Sequence, residues 1–89
     1  MLRAVTTNQF EKDIKLAKKR GKDLNRIFYL MQLLINEEII PEKHRDHSLS
    51  GIYANRRECH IESDWLLIYK LESREIIFER TGTHSDLFK

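Results

Sequence analysis

Four histidines hold most of the reactive potential of this 89-residue chain, and all of them lie after residue 43, together with the one tryptophan and the one cysteine. His60 is the best placed for chemistry. Strand alternation over residues 56–61 puts Arg57, Cys59 and Ile61 on one face and Glu58, His60 and Glu62 on the other. Asp64 and Trp65 follow across a turn formed by Glu62-Ser63-Asp64. A carboxylate within reach of an imidazole fixes its tautomer and suits it to general acid or base work near neutral pH. If the first hairpin pairs residue 60 with 66 and the second pairs 66 with 80, Arg80 shares that face and sets a cation beside the proton carrier. The alternative for the same residues is a cross-strand salt bridge between Arg80 and a glutamate, which contributes little. His44, flanked by Lys43 and Arg45 without apolar framing, reads as a surface histidine with no role.

Metal chemistry is the competitor. Cys59, His60, His84 and the pair His44 and His47 are ligand types, but structural zinc sites use paired ligands at C-x₂₋₄-C or H-x₃₋₅-H spacing. Adjacent strand residues point to opposite faces, so Cys59 and His60 cannot chelate one ion. The same geometry excludes a Cys–His nucleophile and leaves Cys59 as a small core residue. A Gly-rich phosphate loop, a dinucleotide fingerprint and H-E-x-x-H are all missing. The expectation is a site with no metal and no cofactor.

Charge supplies a second constellation. The 16 Lys and Arg against 14 Asp and Glu leave a formal +2, but residues 1–22 hold seven bases and two acids, and the remainder is net acidic. Lys12, Lys15, Lys19 and Lys22, with Lys18 beside them, follow helical spacing on a face away from Phe10, Ile14 and Ala17. A solvated helix face is one reading. A stripe of one sign, accompanied only by Glu11 and Asp13, favours a phosphate backbone or an acidic protein.

The elements that must position these groups follow from periodicity. Residues 2–6 read as a short strand, with Thr7 or Asn8 able to cap a helix that runs from Gln9 until Gly21 stops it. Leu24, Ile27, Phe28, Met31, Leu34 and Ile35 keep helical spacing, so a second helix packs against the first as an antiparallel hairpin. Pro41 ends the helical part, and residues 41–51 read as a loop. Strands follow at 56–61, at the nearly all-apolar Trp65–Leu71, and at Glu75–Thr81, where Ile76, Phe78 and Arg80 oppose Ile77 and Glu79. Residues 83–89 form a tail with a helical turn started by Ser85. The predicted fold is α+β: an N-terminal strand and a helical hairpin packed on one face of an antiparallel β-sheet, a single domain over residues 1–89. The other sheet face has nothing left to cover it and is free to carry a site. With 40% apolar and 34% charged residues the chain suits a soluble globule. The lone cysteine suits a reducing compartment. The start, MLRAVTTNQFEK, lacks the apolar stretch of a signal peptide, and the longest apolar run, Trp65–Tyr69, is far short of the ~20 residues of a membrane span. A cytoplasmic protein without a membrane segment is expected.

Three stretches, DHSLSG at 46–51, RECHIESDWLLIYKL at 57–71 and FERTGTHSDLF at 78–88, resemble the YafQ branch of the RelE/ParE toxin superfamily, and the resemblance extends over essentially the whole chain. Members are toxins of bacterial toxin–antitoxin pairs: metal-independent endoribonucleases that cut mRNA in the ribosomal A site, on a fold of a helical hairpin over an antiparallel sheet. Position by position, the resemblance implies that the family's loop histidine is His47, its strand histidine His60 and its D-W pair Asp64 and Trp65. The R-x-G-x-H motif becomes Arg80 and His84, and the terminal aromatic becomes Phe88. His44 matches nothing functional. Ser63, Tyr53 and Asn55 depart from the family's usual proline, tryptophan and glycine; asparagine tolerates a left-handed turn, and none of the three removes a catalytic group.

RNA cleavage without metal needs a base for the ribose 2′-OH, an acid for the departing 5′-oxygen and a cation for the non-bridging oxygens. The resemblance thus implies His47 or His60 as base, His84 as acid and Arg80 as phosphate clamp. Asp64 orients a histidine or the substrate, and Trp65 or Phe88 supports or stacks on a base. Lys12, Lys15, Lys18, Lys19 and Lys22 become the surface for 16S ribosomal RNA. The partners implied are a cognate antitoxin, the 70S ribosome and mRNA, with the free toxin a monomer and the antitoxin complex a hetero-oligomer. Two further classes remain open: a gyrase-directed toxin of the same superfamily, and a nucleic-acid-binding module without catalysis.

Overall fold

Thr7 ends the first strand and starts the first helix in one step. β1 (Arg3–Thr6) runs directly into it, and the extended backbone of Thr7 lets Oγ1 accept the Phe10 N–H at 2.9 Å, capping α1 (Asn8–Lys19). At the far end Gly21 takes φ +82°, and Lys22 N–H donates back to the Ala17 carbonyl at 3.0 Å, closing α1 with a left-handed turn that favours glycine. Asp23 then caps α2 (Leu24–Ile35) through the Asn25 N–H. These features come from the computed structural model of the chain, which describes residues 1–88; Lys89, the last residue of the predicted tail, lies outside the described residues.

A five-stranded sheet lies against the two helices in the order β1-β5-β4-β3-β2, with β2 (His47–Ser48), β3 (Arg57–Glu62), β4 (Trp65–Leu71) and β5 (Glu75–Gly82). The meander β3-β4-β5 is antiparallel as predicted, but β1 pairs parallel with β5, so the sheet is mixed. β2, two residues inside the predicted loop, pairs with β3 and sets His47 opposite Glu58. Asn55 adopts φ +68°, the left-handed turn that asparagine tolerates.

The main core lies between helices and sheet, built on Phe10, Ile27, Leu30, Trp65, Leu67, Tyr69, Ile76 and Phe78. β4 is buried on both faces, as its apolar run requires. The outer face is not bare, contrary to the prediction. Leu66 and Ile68 are sealed there by Leu87 of α3 (His84–Leu87), with Leu49 and Tyr53 against them. Two apolar side chains left in water on that face would cost roughly 1.5–3 kcal/mol each, enough to recruit a loop and a terminal turn as a lid. Thr83, not Ser85, starts the terminal turn: its hydroxyl accepts the Asp86 N–H while the Asp86 carboxylate accepts the Thr83 N–H.

Two bulges change which side chains share a face. In β3 the register shifts between His60 and Glu62, and Glu62 meets Lys22 and Arg26 of the helical layer at 2.9 and 2.6 Å instead of joining His60. In β4–β5 the register shifts after Ile68, so Leu66 pairs with Gly82 and Ile68 with Arg80. The predicted 66–80 pairing is off by two residues, an even number, so Arg80 still shares the outer side with His60. It does not share a face with Ile76 and Phe78, which are buried in the main core.

Cys59 is fully buried, and burial pushes its thiol up to about 12. A thiol reagent such as DTNB at pH 8 is therefore expected to leave the native protein unmodified and to titrate one thiol once denaturant is added. Rapid native labelling would contradict this burial.

Candidate active site

Three imidazoles stand in a row along the outer face. The His47 and His60 ring centroids are 6.3 Å apart, and those of His60 and His84 are 5.8 Å apart. Each is brought there by a different element: His47 by edge strand β2, His60 by β3, and His84 by the first residue of α3. The order of the sheet makes this row, because β3 lies between β2 and the β4–β5 pair that leads into α3.

Each ring has one nitrogen committed to an acceptor. His60 Nε2 donates to Glu58 Oε1 at 3.1 Å, and the Glu58 side chain is only 5% exposed. His47 Nδ1 donates to the Arg45 carbonyl at 2.6 Å, which leaves its Nε2 facing the same Glu58 oxygen at 3.5 Å. His84 Nδ1 donates to Asp64 Oδ1 at 2.6 Å, and the His84 backbone N–H reaches that oxygen at 2.8 Å. These two bonds hold the Asp64 carboxyl below its ordinary range, so it stays ionised at neutral pH. A carbonyl or carboxylate only accepts, so these bonds assign the tautomers: His60 keeps Nδ1 open for a substrate proton, and His84 keeps Nε2. Imidazoles about 6 Å apart leave room for one phosphoryl group between them, with each nitrogen at hydrogen-bond range of an oxygen.

The surroundings complete the site. The Phe88 ring lies 6.3 Å from His84 and 5.4 Å from Tyr53, edge-on to the latter, and the Tyr53 hydroxyl donates to the Leu87 carbonyl. A cleft of about 410 Å³ opens beside His60 and His84, with Lys43 and Arg45 on its wall. Arg45 holds φ +47° in the turn that presents His47, an uncommon backbone for a non-glycine residue.

Arg80 belongs to this face but is not a free cation. Its Nε and Nη2 donate to Asp13 of α1 at 2.8 and 3.3 Å. That bond is the largest cause raising its already high pKa, so it stays charged at any working pH. The contact arises because β1 stops opposite Phe78, leaving the N–H of Thr81 on an open edge, and Asp13 accepts that N–H as well.

Not every predicted site residue is where the sequence placed it. His47, His60, Asp64, His84 and Phe88 come together, and Arg80 lies on the same side of the sheet, bonded to Asp13. Trp65 does not: it is 1% exposed, inside the main core, and no base can stack on it. Lys22 also leaves its predicted group, since its ammonium pairs with Glu62 and sits 5.6 Å over the Trp65 ring. Lys12, Lys15, Lys18 and Lys19 remain exposed on α1, in no ion pair among the described residues. His44 is buried rather than superficial, and its Nδ1 contacts the His60 carbonyl at 2.7 Å, tying the preceding turn to β3. No group of three or more His, Cys, Asp or Glu among the described residues is arranged to hold a metal ion.

Asp13 and Tyr53 support the site, although sequence reasoning does not select them for it, and Glu58, which alternation sets beside His60, is the carboxylate that holds its ring. Glu58 carries a signal, its period-two spacing from His60. Asp13 carries only a weak one, as one of two acids in a basic run, and Tyr53 carries none.

Comparison with known proteins places the chain and its fold. A family model described as "Bacterial toxin of type II toxin-antitoxin system, YafQ" matches residues 2–89. The mRNA interferase toxin YafQ of Escherichia coli K12 is 51% identical over 83 residues, which cover 92% of this chain and 90% of the relative. The E. coli DinJ-YafQ toxin–antitoxin complex contains a chain that superposes with a TM-score of 0.92 at 47% identity, covering both chains completely. A metal-bound toxin from Helicobacter pylori superposes with a TM-score of 0.92 at 36% identity, over 99% of this chain and 100% of that one. With its whole length matched and its fold shared, the chain belongs to the YafQ family of bacterial type II toxin–antitoxin toxins.

Proposed function

We propose that this protein is a toxin that cleaves mRNA on the ribosome by attack of the ribose 2′-OH, without a metal ion, and that a cognate antitoxin holds it in check. The observation that carries the reading is the pair His60 and His84, 5.8 Å apart, each with one nitrogen held by its own carboxylate. The mRNA interferase name of the E. coli relative and the DinJ-YafQ complex support the activity and the partner. The free toxin acts as a monomer and its antitoxin complex is a hetero-oligomer.

In this reading His60, through Nδ1, or His47, through Nε2, takes the 2′-OH proton. The 2′-oxygen attacks the adjacent phosphorus, and the P–O5′ bond breaks. His84, protonated, delivers its Nε2 proton to the departing 5′-oxygen, leaving a 2′,3′-cyclic phosphate and a 5′-hydroxyl. Asp64 holds the imidazolium in place, and Arg80 offsets charge on the non-bridging oxygens. Phe88, 40% exposed, stacks on a base beside the scissile bond, the part Trp65 cannot play.

Induction in bacterial cells with mapping of mRNA 5′ ends tests the class. Cuts at a fixed codon position within translated frames are expected; cuts in untranslated RNA, or none, would overturn it. The metal question has its own test. With magnesium retained to keep ribosomes intact, 1,10-phenanthroline is expected to leave cleavage unchanged, whereas its loss would mean that a transition metal takes part.

α1 is the docking surface for 16S ribosomal RNA. Reversing Lys15 and Lys19 together to glutamate removes two cations from the exposed stripe. Ribosome pelleting between 50 and 200 mM salt is expected to show affinity lowered at least about tenfold and a salt slope shallower by up to about 2, since each lost phosphate contact removes roughly one released counterion.

A further inference from the structure

We propose that Arg20, at the end of α1, is a positioning residue for the acid: it grips Asp86 and so fixes the terminal turn that carries His84 and Phe88. The inference rests on the reading of His84 as the proton donor.

α3 is four residues long, too short to hold itself as a helix. Thr83 caps it, Leu87 is buried on the outer face, and Tyr53 bonds its last carbonyl. A forked ion pair ties it to the helical layer. Arg20 Nη1 donates to Asp86 Oδ2 at 2.7 Å and Nη2 donates to Oδ1 at 3.3 Å, a forked pair that sets orientation as well as distance. The Thr83 N–H reaches Asp86 Oδ2 at 2.9 Å, so one carboxylate joins the cap to the clamp. Gly82 makes the approach possible: a Cβ there would lie 2.9 Å from Asp86 Oδ2 and 3.0 Å from its Cβ. The guanidinium and the Thr83 N–H hold the Asp86 carboxyl far below the usual carboxylate range, so the clamp is charged throughout the working pH range.

Asp64 alone cannot place His84. Its side chain is 62% exposed on a two-residue turn and that of His84 is 54% exposed, so its two bonds, to the ring Nδ1 and to the His84 N–H, tie the start of α3 to a turn that is itself open to solvent. The anchor is the backbone of α3, and an acid displaced by about 1 Å can lose up to ~10²-fold in rate. Arg20 also follows Lys18 and Lys19 directly, so the helix that docks on RNA and the turn that delivers the proton move as one body.

The test separates proton delivery from general damage. An mRNA with sulfur in place of the bridging 5′-oxygen at the mapped cleavage position has a leaving group that departs without protonation, so the acid becomes dispensable. Arg20→Ala and Asp86→Asn, the second keeping an acceptor for the Thr83 N–H, are measured beside His84→Ala on programmed ribosomes. On ordinary mRNA, Arg20→Ala and Asp86→Asn are expected to lower kcat about tenfold with KM within about twofold, the double variant being no worse than either alone. On the sulfur substrate both are expected to return to within about threefold of the unaltered protein, as is His84→Ala. Unchanged kcat in the single variants, or a deficit that persists on the sulfur substrate while His84→Ala is rescued, would overturn the role of Arg20. A His84→Ala deficit that sulfur does not rescue would overturn the acid assignment itself and, with it, this inference.

Discussion

His84→Ala is expected to lower single-turnover cleavage of ribosome-bound mRNA by about 10² to 10⁴-fold, the range that a positioned general acid supplies. That corresponds to roughly 2.7–5.5 kcal/mol of barrier. The loss should appear in the chemical step and not in binding, because among the described residues the imidazole bonds Asp64 and lies against the neighbouring rings of His60 and Phe88. Folding should be little affected: the His84 side chain is 54% exposed, and exposed ion pairs of its kind contribute about 0–1 kcal/mol. A melting temperature within a few degrees of the parent, with cleavage nearly lost, is the expected combination. Asp64→Asn is the sharper comparison. Asparagine still accepts the Nδ1 proton and keeps the tautomer, but it no longer stabilises an imidazolium, so a smaller loss of about tenfold is expected. Because the Asp64 carboxyl is held below its ordinary range, its contribution is fully present above the unfolded value of about 4 and fades only as pH falls through the lower folded value. Cleavage near pH 5 should therefore show no limb from Asp64. If His84→Ala cleaved within threefold of the parent, the acid would have to be sought elsewhere.

How much of the fold and site is legible in the sequence depends on the distance over which each signal acts. The helices are readable because their apolar spacing is local, and Thr7 and Gly21 mark the ends of α1 by chemistry that needs no partner. The face of β3 that carries Glu58 and His60 is readable from alternation alone. β2 is not: two residues have no period, and His47-Ser48 become a strand only because β3 offers an edge. The bulges leave no trace either. One extra residue at 61 sends Glu62 to Lys22 and Arg26, and that in turn removes Lys22 from the unpaired lysine stripe of α1. Trp65 is misread for a related reason. A tryptophan next to a functional aspartate is ambiguous until the parity of β4 is known, and Trp65 shares the buried side with Leu67 and Tyr69. The roles of His47, His84 and Phe88 come from resemblance, since nothing in their spacing selects a loop, a tail and a terminus as neighbours.

The contact least visible in sequence, Asp13 with Arg80 across 67 positions, carries the other large expected effect. Asp13 is 7% exposed and accepts four bonds: two from Arg80, one from the Thr81 N–H at 3.1 Å and one from Gln9 Nε2 at 3.1 Å. Asp13→Ala strands the Thr81 N–H beneath α1 and leaves a guanidinium without its counter-charge. Removing one partner of a fully buried pair costs about 3–5 kcal/mol. The Arg80 side chain is 26% exposed and can recover some hydration, so about 2–3 kcal/mol is expected here. For a domain of this size that lowers Tm by roughly 10–20 °C, measurable by thermal unfolding. With Arg80 as the proposed phosphate clamp, activity should fall as well, because the guanidinium is then free to move, and the fall should be visible at temperatures where the variant is still folded. Asp13→Asn separates the two consequences. It retains an acceptor for the Thr81 N–H and should recover about half of the stability, while the weakened hold on Arg80 keeps cleavage below the parent. A variant Asp13→Ala that melted within 2–3 °C of the parent would mean that Arg80 and the edge of β5 find water or another acceptor, and that α1 does not set the cation of the site.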